Sequence, residues 1–244
     1  MKKVPLLPNL VTTGNLLCGF LSLICSLRGN LIQAAWFVLA AMIFDFFDGQ
    51  IARLQKTSSE FGVEYDSLSD LLSFGIAPAI LVYQLVGHHM GRLGIAVAFL
   101  YIACTALRLA RYNVTSPPNE KRAFLGLPSP AAAGLVCSTV ILEKEIPEIY
   151  SEMALVKFLP FLLLLAAGLM VSSIRYPTIQ SIDTFAARPF TNLVLVVAGG
   201  VLILFHLEVF VFLCFLLYVL AGMWEELHLQ HLKRKLDGKI HGPI

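Results

Sequence analysis

The chain places four aspartates between long apolar runs: Asp45, Asp48, Asp66 and Asp70. An ionised carboxylate is costly in hydrocarbon, so carboxylates beside a membrane-spanning helix usually mark an ion pathway or a chemical site. Four negative charges at a water-poor boundary repel one another, and two divalent cations would neutralise them. Ligands that are all oxygen suit Mg²⁺ or Mn²⁺ and do not suit zinc. We therefore predict a site that holds two such cations.

Two helical stripes of small and acidic residues present these carboxylates. The first stripe has members at i, i+3, i+4 and i+7, namely Asp45, Asp48, Gly49 and Ala52. The second repeats at intervals of four and consists of Gly62, Asp66 and Asp70. The small residues leave room for a ligand near the backbone, and Arg53 beside the first stripe can pair with a phosphate. This combination indicates metal-assisted phosphoryl transfer.

The same stretch resembles a known family signature. Residues 45–70 match D-x2-D-G-x2-A-R-x8-G-x3-D-x3-D, the motif of the CDP-alcohol phosphotransferases. Flanking segments are similar to the phosphatidylserine synthase branch, including Ser73-Phe74-Gly75, Arg108-Leu109-Ala110-Arg111-Tyr112-Asn113 and Gly126-Leu127-Pro128-Ser129-Pro130-Ala131. The resemblance implies an enzyme that transfers the phosphatidyl group of CDP-diacylglycerol to the hydroxyl of L-serine. The products would be phosphatidylserine and CMP.

The resemblance also implies roles for individual residues. Asp45, Asp48 and Asp66 would be metal ligands, and Asp70 would be the general base that also touches a metal. The nucleotide and its diphosphate would be held by Gly49, Ala52, Arg53, Gly62, Asn9 and Thr12. For Asn9 and Thr12 a helix-capping role is the alternative. A homodimer is a further implication of the resemblance.

The acceptor site is predicted at the end of the fourth helix. Serine is a small zwitterion, so its carboxylate needs a cation close to Asp70. Arg108 and Arg111 are three residues apart and so lie on nearby faces of a helix. Either can grip a carboxylate with two parallel hydrogen bonds; an acceptor phosphate, the CDP pyrophosphate or a role as interfacial anchor is the alternative. Asn113 and Lys121 complete the candidate acceptor set.

Composition independently predicts a membrane protein. Hydrophobic residues make up 57% of the chain and charged residues 14%, against about 45–50% and about 25% in soluble domains. We expect an all-α polytopic bundle in which residues 1–226 form one membrane domain and residues 227–244 a basic cytoplasmic tail near anionic lipid. The net charge of +2 is too small to indicate a nucleic-acid partner.

Eight transmembrane helices are predicted, because apolar runs of about 20 residues recur along the chain. The first six are expected near residues 5–27, 31–53, 66–86, 93–111, 128–142 and 153–174. The run 190–224 is too long for one span, so we divide it into two that turn near His206 and Glu208.

With eight spans, most of the 18 lysines and arginines fall on the side of the two termini. Positively charged loops favour the cytoplasmic side. We therefore expect both termini and the active site to face the cytoplasm, in a multi-pass protein of the cytoplasmic (inner) membrane.

Two alternatives stay open. The family motif serves other acceptors, such as inositol phosphate or glycerol 3-phosphate, and the donor could be an archaeal CDP-lipid. From a different class, intramembrane aspartates could line a cation-coupled transporter. A transporter would place polar groups near the bilayer midplane, whereas these cluster at one boundary. Metal-dependent release of CMP would separate the two classes.

Overall fold

The computed structural model describes residues 6–55, 59–115, 124–145, 154–176 and 206–240. Within these ranges the regular elements are helices, apart from one antiparallel pair of two-residue strands. The predicted all-α class is therefore confirmed for the described part of the chain.

Helix α1 (Leu6–Leu27) and helix α2 (Leu31–Gln55) pack against each other along their length. Both helices agree closely with the predicted ones. The turn between them needs a residue with positive φ, which Gly29 supplies at +78°. Helix α1 buries a stripe of small and polar residues, whose members include Thr12, Asn15, Gly19, Ser22 and Ser26.

The third span is a composite of α3 (Glu60–Asp70), a π-helical segment (Leu71–Ile76) and α4 (Ala77–Leu85). The predicted start at Asp66 is wrong, because the helix already begins at Glu60. Ser59 caps it in an extended conformation, and its hydroxyl accepts a 3.0 Å hydrogen bond from the backbone N–H of Gly62. That bond satisfies one of the free donors of the first turn.

The rest of the described chain comprises, in order, a 3-10 turn (Gly87–Met90), α5 (Arg92–Thr115), β1 (Phe124–Leu125), α6 (Ser129–Glu145), α7 (Ala154–Val171), β2 (Arg175–Tyr176) and α8 (Leu207–Ile240). Helix α5 packs along α7, and α6 packs against α2, α7 and α8. Strand β1 pairs with β2, so the segment that precedes α6 is tied to the segment that follows α7.

Helix α6 lies at the centre of the bundle. All residues from 131 to 141 are buried, and small side chains let neighbouring helices come close. At Gly134 an added methyl group would clash with the ring of Phe215 on α8. The contact between α6 and α8 therefore depends on the missing side chain of this glycine.

The chain is a polytopic membrane protein. Five stretches of the described residues are long and apolar enough to cross a bilayer: Leu6–Leu27, Leu31–Ala52, Glu60–Leu85, Arg92–Thr115 and Leu207–Trp224. Two shorter apolar helices accompany them, Ser129–Glu143 and Lys157–Val171. The predicted seventh span lies in 177–205, outside the described residues. Helix α8 begins just after His206, near the predicted turn, and runs on through residue 227 to Ile240.

Candidate active site

Three of the predicted metal ligands converge where α2 faces α3. One carboxylate oxygen from each of Asp45, Asp48 and Asp66 lies within 4.8 Å of the others. Asp48 Oδ2 and Asp66 Oδ1 are buried, and neither has a hydrogen-bond partner among the described residues. Burying such oxygens without a partner is costly, and a bound cation would supply one. The all-carboxylate donor set thus fits a hard divalent cation.

Asp70 adjoins this cluster at the end of α3. Its side chain is 8% exposed and lies close to Asp45. Asp70 Oδ1 accepts a 3.0 Å hydrogen bond from Asn15 Nδ2 of α1. The carboxylate is therefore held in one orientation by a helix that carries no metal ligand of its own.

Asn15 is a site residue that lies outside the aspartate motif of residues 45–70. It is fully buried, and serine hydroxyls on both sides of Asp70 fix the α1 backbone around it. Ser69 Oγ donates to the carbonyl of Thr12 at 3.2 Å, and Ser73 Oγ donates to the carbonyl of Asn15 at 3.1 Å. The available signal was the stripe of small and polar residues at helical spacing on α1, in which an asparagine needs a partner.

The π-helical segment begins directly after Asp70. A π-helical turn admits an extra residue into the helix and is frequent at functional sites. Here the buried Tyr101 hydroxyl donates to the carbonyl of Phe74 at 3.1 Å. An added methyl group at Gly75 would lie 3.2 Å from Thr105 Cγ2. Helix α5 therefore packs tightly on this segment, which keeps the end of α3 in place.

An open cleft between the ends of α1, α2 and α3 contains five of the predicted nucleotide-binding residues. Its lining includes Asn9, Thr12, Gly49, Ala52 and Gly62, together with Asp48 and Asp66 of the acidic cluster. At Gly62 an added methyl group would lie 3.4 Å from Asn9 Oδ1, so the two face each other closely. The sixth residue, Arg53, follows Ala52 on α2, and its side chain lies outside what the structure describes.

The capping alternative for Asn9 and Thr12 is wrong. Helix α1 begins at Leu6, so both residues lie inside it. The Thr12 hydroxyl donates to the carbonyl of Pro8 at 3.1 Å, a bond within the helix. Thr12 also lies beside Asp48, which joins the cleft to the acidic cluster.

Arg108 of α5 also lies near Asp70. Its side chain is 8% exposed, and its charge acts on both Asp70 and Asp45. Arg108 Nη1 donates a 2.6 Å hydrogen bond to Ser129 Oγ at the start of α6. The Nε group is buried and has no hydrogen-bond partner among the described residues. Arg108 therefore keeps a free donor beside the predicted base.

Arg111, the second predicted acceptor-binding arginine, is directed elsewhere. Its two terminal nitrogens donate to the backbone carbonyls of Leu125, Met170, Val171 and Ser172 at 2.7 to 3.4 Å. These carbonyls belong to β1, to the end of α7 and to the residue that follows α7. Contrary to the sequence-based expectation, this guanidinium joins segments of the fold and is not presented to the acidic cluster.

Of the other two predicted acceptor residues, the structure describes Asn113. Asn113 Nδ2 donates to Ser67 Oγ at 3.0 Å, which links α5 to α3 one turn before Asp70. Lys121 lies outside the described residues.

A model of the CDP-alcohol phosphatidyltransferase family matches residues 5–163. The chain belongs to this family. The matched range includes the acidic cluster, the cleft, Asn15, Arg108 and Ser129.

Named relatives of this CDP-alcohol phosphatidyltransferase come from bacteria, archaea and yeast. A CDP-diacylglycerol–serine O-phosphatidyltransferase of Helicobacter pylori is 40% identical over 177 residues, which are 72% of this chain and 74% of that protein. A protein of the same name from Bacillus subtilis is 33% identical over 70% of this chain and 89% of its own length. The archaetidylserine synthase of Methanothermobacter thermautotrophicus is 36% identical over 74% of this chain and 73% of its own length.

Proposed function

We propose that the protein is a CDP-diacylglycerol–serine O-phosphatidyltransferase. The observation that carries this proposal is the convergence of Asp45, Asp48 and Asp66 within 4.8 Å, with the buried Asp70 and Arg108 alongside. The serine hydroxyl attacks the phosphorus bonded to diacylglycerol, and its proton passes to Asp70. The bond from that phosphorus to CMP breaks, so phosphatidylserine and CMP leave.

Two Mg²⁺ or Mn²⁺ ions held by Asp45, Asp48 and Asp66, with Asp70 at the edge of the set, would stabilise the negative charge that develops on the leaving CMP. The cleft lined by Asn9, Thr12, Gly49, Ala52 and Gly62 is the proposed nucleotide site, with Arg53 as a phosphate partner. The small residues let the nucleotide approach the backbone of α2 and α3. None of these residues supplies an activated nucleophile, which favours direct displacement over a covalent intermediate.

Arg108 is the proposed partner of the serine carboxylate. Its Ser129 bond fixes the guanidinium, and its free Nε can donate to an anion. We expect Arg108→Lys to raise the KM for serine by about 10- to 100-fold, since hydrogen bonds to charged groups contribute about 1.5–3 kcal/mol. The KM for CDP-diacylglycerol should change much less. Steady-state kinetics with each substrate varied in turn would measure both values.

Arg111→Lys is the matched control for that substitution. Lysine cannot bond four carbonyls at once, so this variant should unfold at a lower temperature in detergent while keeping the wild-type ratio of the two KM values. If Arg111→Lys selectively raised the KM for serine and Arg108→Lys did not, the assignment of the serine carboxylate to Arg108 would be wrong.

The similarity to both a bacterial synthase and an archaetidylserine synthase bears on the lipid donor. The names of both relatives refer to serine, but they refer to different lipids. We propose CDP-diacylglycerol as the donor, with an archaeal CDP-lipid as the second candidate. Comparing the two donors at equal concentration, with serine fixed, would separate them.

We further propose a single membrane domain over residues 1–226 with eight spans, and a basic tail over residues 227–244. Both termini and the acidic cluster face the cytoplasm, and the protein acts as a homodimer in the cytoplasmic membrane, surrounded by lipid. The asymmetric distribution of lysine and arginine supports this orientation.

Cysteine labelling tests the topology. With the five native cysteines replaced, a cysteine at Lys121 or Lys239 should react only from the cytoplasmic side. A cysteine at His89 or Glu148 should react only from outside. Labelling of positions 121 and 239 from opposite sides would mean an odd number of crossings between them, which the eight-span arrangement does not allow.

The function itself is tested by one assay of the purified protein with Mn²⁺ or Mg²⁺ and CDP-diacylglycerol. L-Serine, glycerol 3-phosphate, inositol and inositol phosphate are compared as acceptors, and CMP is measured. We expect metal-dependent CMP release with serine. Release with a phosphorylated polyol alone would remove the serine assignment, and no release with any acceptor would favour the transporter.

A further inference from the structure

Asn15 has a second polar atom that its bond to Asp70 does not use. An ionised carboxylate can only accept hydrogen bonds, so the amide presents its NH₂ group to Asp70. Its oxygen, Oδ1, is left fully buried and has no hydrogen-bond partner in the described part of the chain. A buried acceptor without a donor costs free energy, which a ligand that brings an N–H group would recover.

Two unpartnered groups of opposite chemistry therefore lie near Asp70. Arg108 Nε is a positively charged donor, and Asn15 Oδ1 is an acceptor; both are at least nine-tenths buried. Asn15 is joined to Asp70 by a hydrogen bond, and Arg108 acts on it through its charge. A 2-amino-3-hydroxy acid carries a hydroxyl, a carboxylate and an ammonium group on adjacent carbons, and the three side chains offer one partner for each.

We infer that Asn15 is a specificity-determining residue whose Oδ1 accepts a hydrogen bond from the ammonium group of the acceptor. This inference rests on the proposed function and adds the recognition of the amine to it. The same amide keeps Asp70 oriented, so one side chain sets both the position of the base and the choice of an acceptor that carries nitrogen.

The test compares L-serine with 3-hydroxypropionate, which is serine without its amine. In the wild-type protein the inhibition constant of 3-hydroxypropionate should greatly exceed the KM for serine, because serine alone satisfies Asn15 Oδ1. Asn15→Leu keeps a similar volume and removes the amide. We expect it to lower the ratio of the inhibition constant of 3-hydroxypropionate to the KM for serine by about 10- to 100-fold, because serine binds more weakly.

Control variants separate this role from a merely structural one. Ser22→Ala removes a buried polar group from the same face of α1, where it bonds the carbonyl of Ala34, and should keep the wild-type ratio. Arg108→Lys should weaken serine and 3-hydroxypropionate together, since both carry the carboxylate. If Asn15→Leu does not fold, Asn15→Ala takes its place, and calorimetric binding of the two compounds replaces kinetics where turnover is lost.

A wild-type ratio in the Asn15 variant, with turnover reduced equally for all acceptors, would overturn the inference and leave Asn15 as a positioning residue for Asp70. If the wild-type protein releases no CMP with serine at all, both the proposed function and the inference are wrong. That result is distinct from an unchanged ratio.

Discussion

Asp66→Asn should abolish measurable transfer and weaken metal binding. The substitution keeps the shape of the side chain but removes one of the three carboxylates that lie within 4.8 Å of one another. Asp66 Oδ1 is buried without a partner among the described residues, so its charge is available only to a cation. Because a bound metal contributes several kcal/mol of charge stabilisation in the transition state, we expect a rate loss of about 10³-fold or more.

The measurement is CMP release as a function of Mn²⁺ concentration, with metal affinity obtained separately by calorimetry. Glu64→Gln is the matched control, since it removes a carboxylate from an exposed position of the same helix. It should behave like the wild-type protein. Full activity of Asp66→Asn, or full activity of the wild-type protein in excess EDTA, would contradict the metal assignment.

The acidic cluster was predictable because it depends mainly on interactions within short stretches of the sequence. Helical spacing alone places Asp45 and Asp48 on one face, and the cost of charge near hydrocarbon requires a partner for them. Helix α3 packs on α1, which packs along α2, and this arrangement brings Asp66 to the same place. The boundaries of α1 and α2 also followed from apolar run length, since few residues inside those runs can end a helix.

Other parts of the site depend on contacts between distant segments. Asn15 reaches Asp70 across 55 positions of sequence, and no spacing rule within one helix indicates such a pair. Arg108 and Arg111 look equivalent in sequence, yet Ser129 binds one and the end of α7 binds the other. The predicted start of the third helix at residue 66 is wrong for a local reason, because Ser59 caps a polar first turn that apolar run length does not detect.

The π-helical segment was also beyond prediction. Its sequence, Leu71–Ile76, reads as an ordinary apolar helix. What distinguishes it is the neighbourhood, namely the Tyr101 bond to Phe74 and the close approach of Thr105 at Gly75. Such a segment is selected by packing between helices, and the intrinsic preference of its residues does not reveal it.

Asp70→Asn should remove turnover while leaving much of the binding of CDP-diacylglycerol. Asparagine still offers Oδ1 to Asn15 Nδ2, so the 3.0 Å bond and the local geometry can persist. It cannot accept the proton of the serine hydroxyl, and loss of a general base lowers rates by about 10²- to 10⁴-fold. The three clustered carboxylates remain, so metal affinity should fall less than in Asp66→Asn. CMP release and the equilibrium binding of the CDP-lipid, both measured at saturating Mn²⁺, test the two halves of this expectation.

Wild-type rates would exclude Asp70 as the base. A loss of metal affinity as large as in Asp66→Asn would instead make Asp70 a full metal ligand, and the proton of the serine hydroxyl would then need another acceptor.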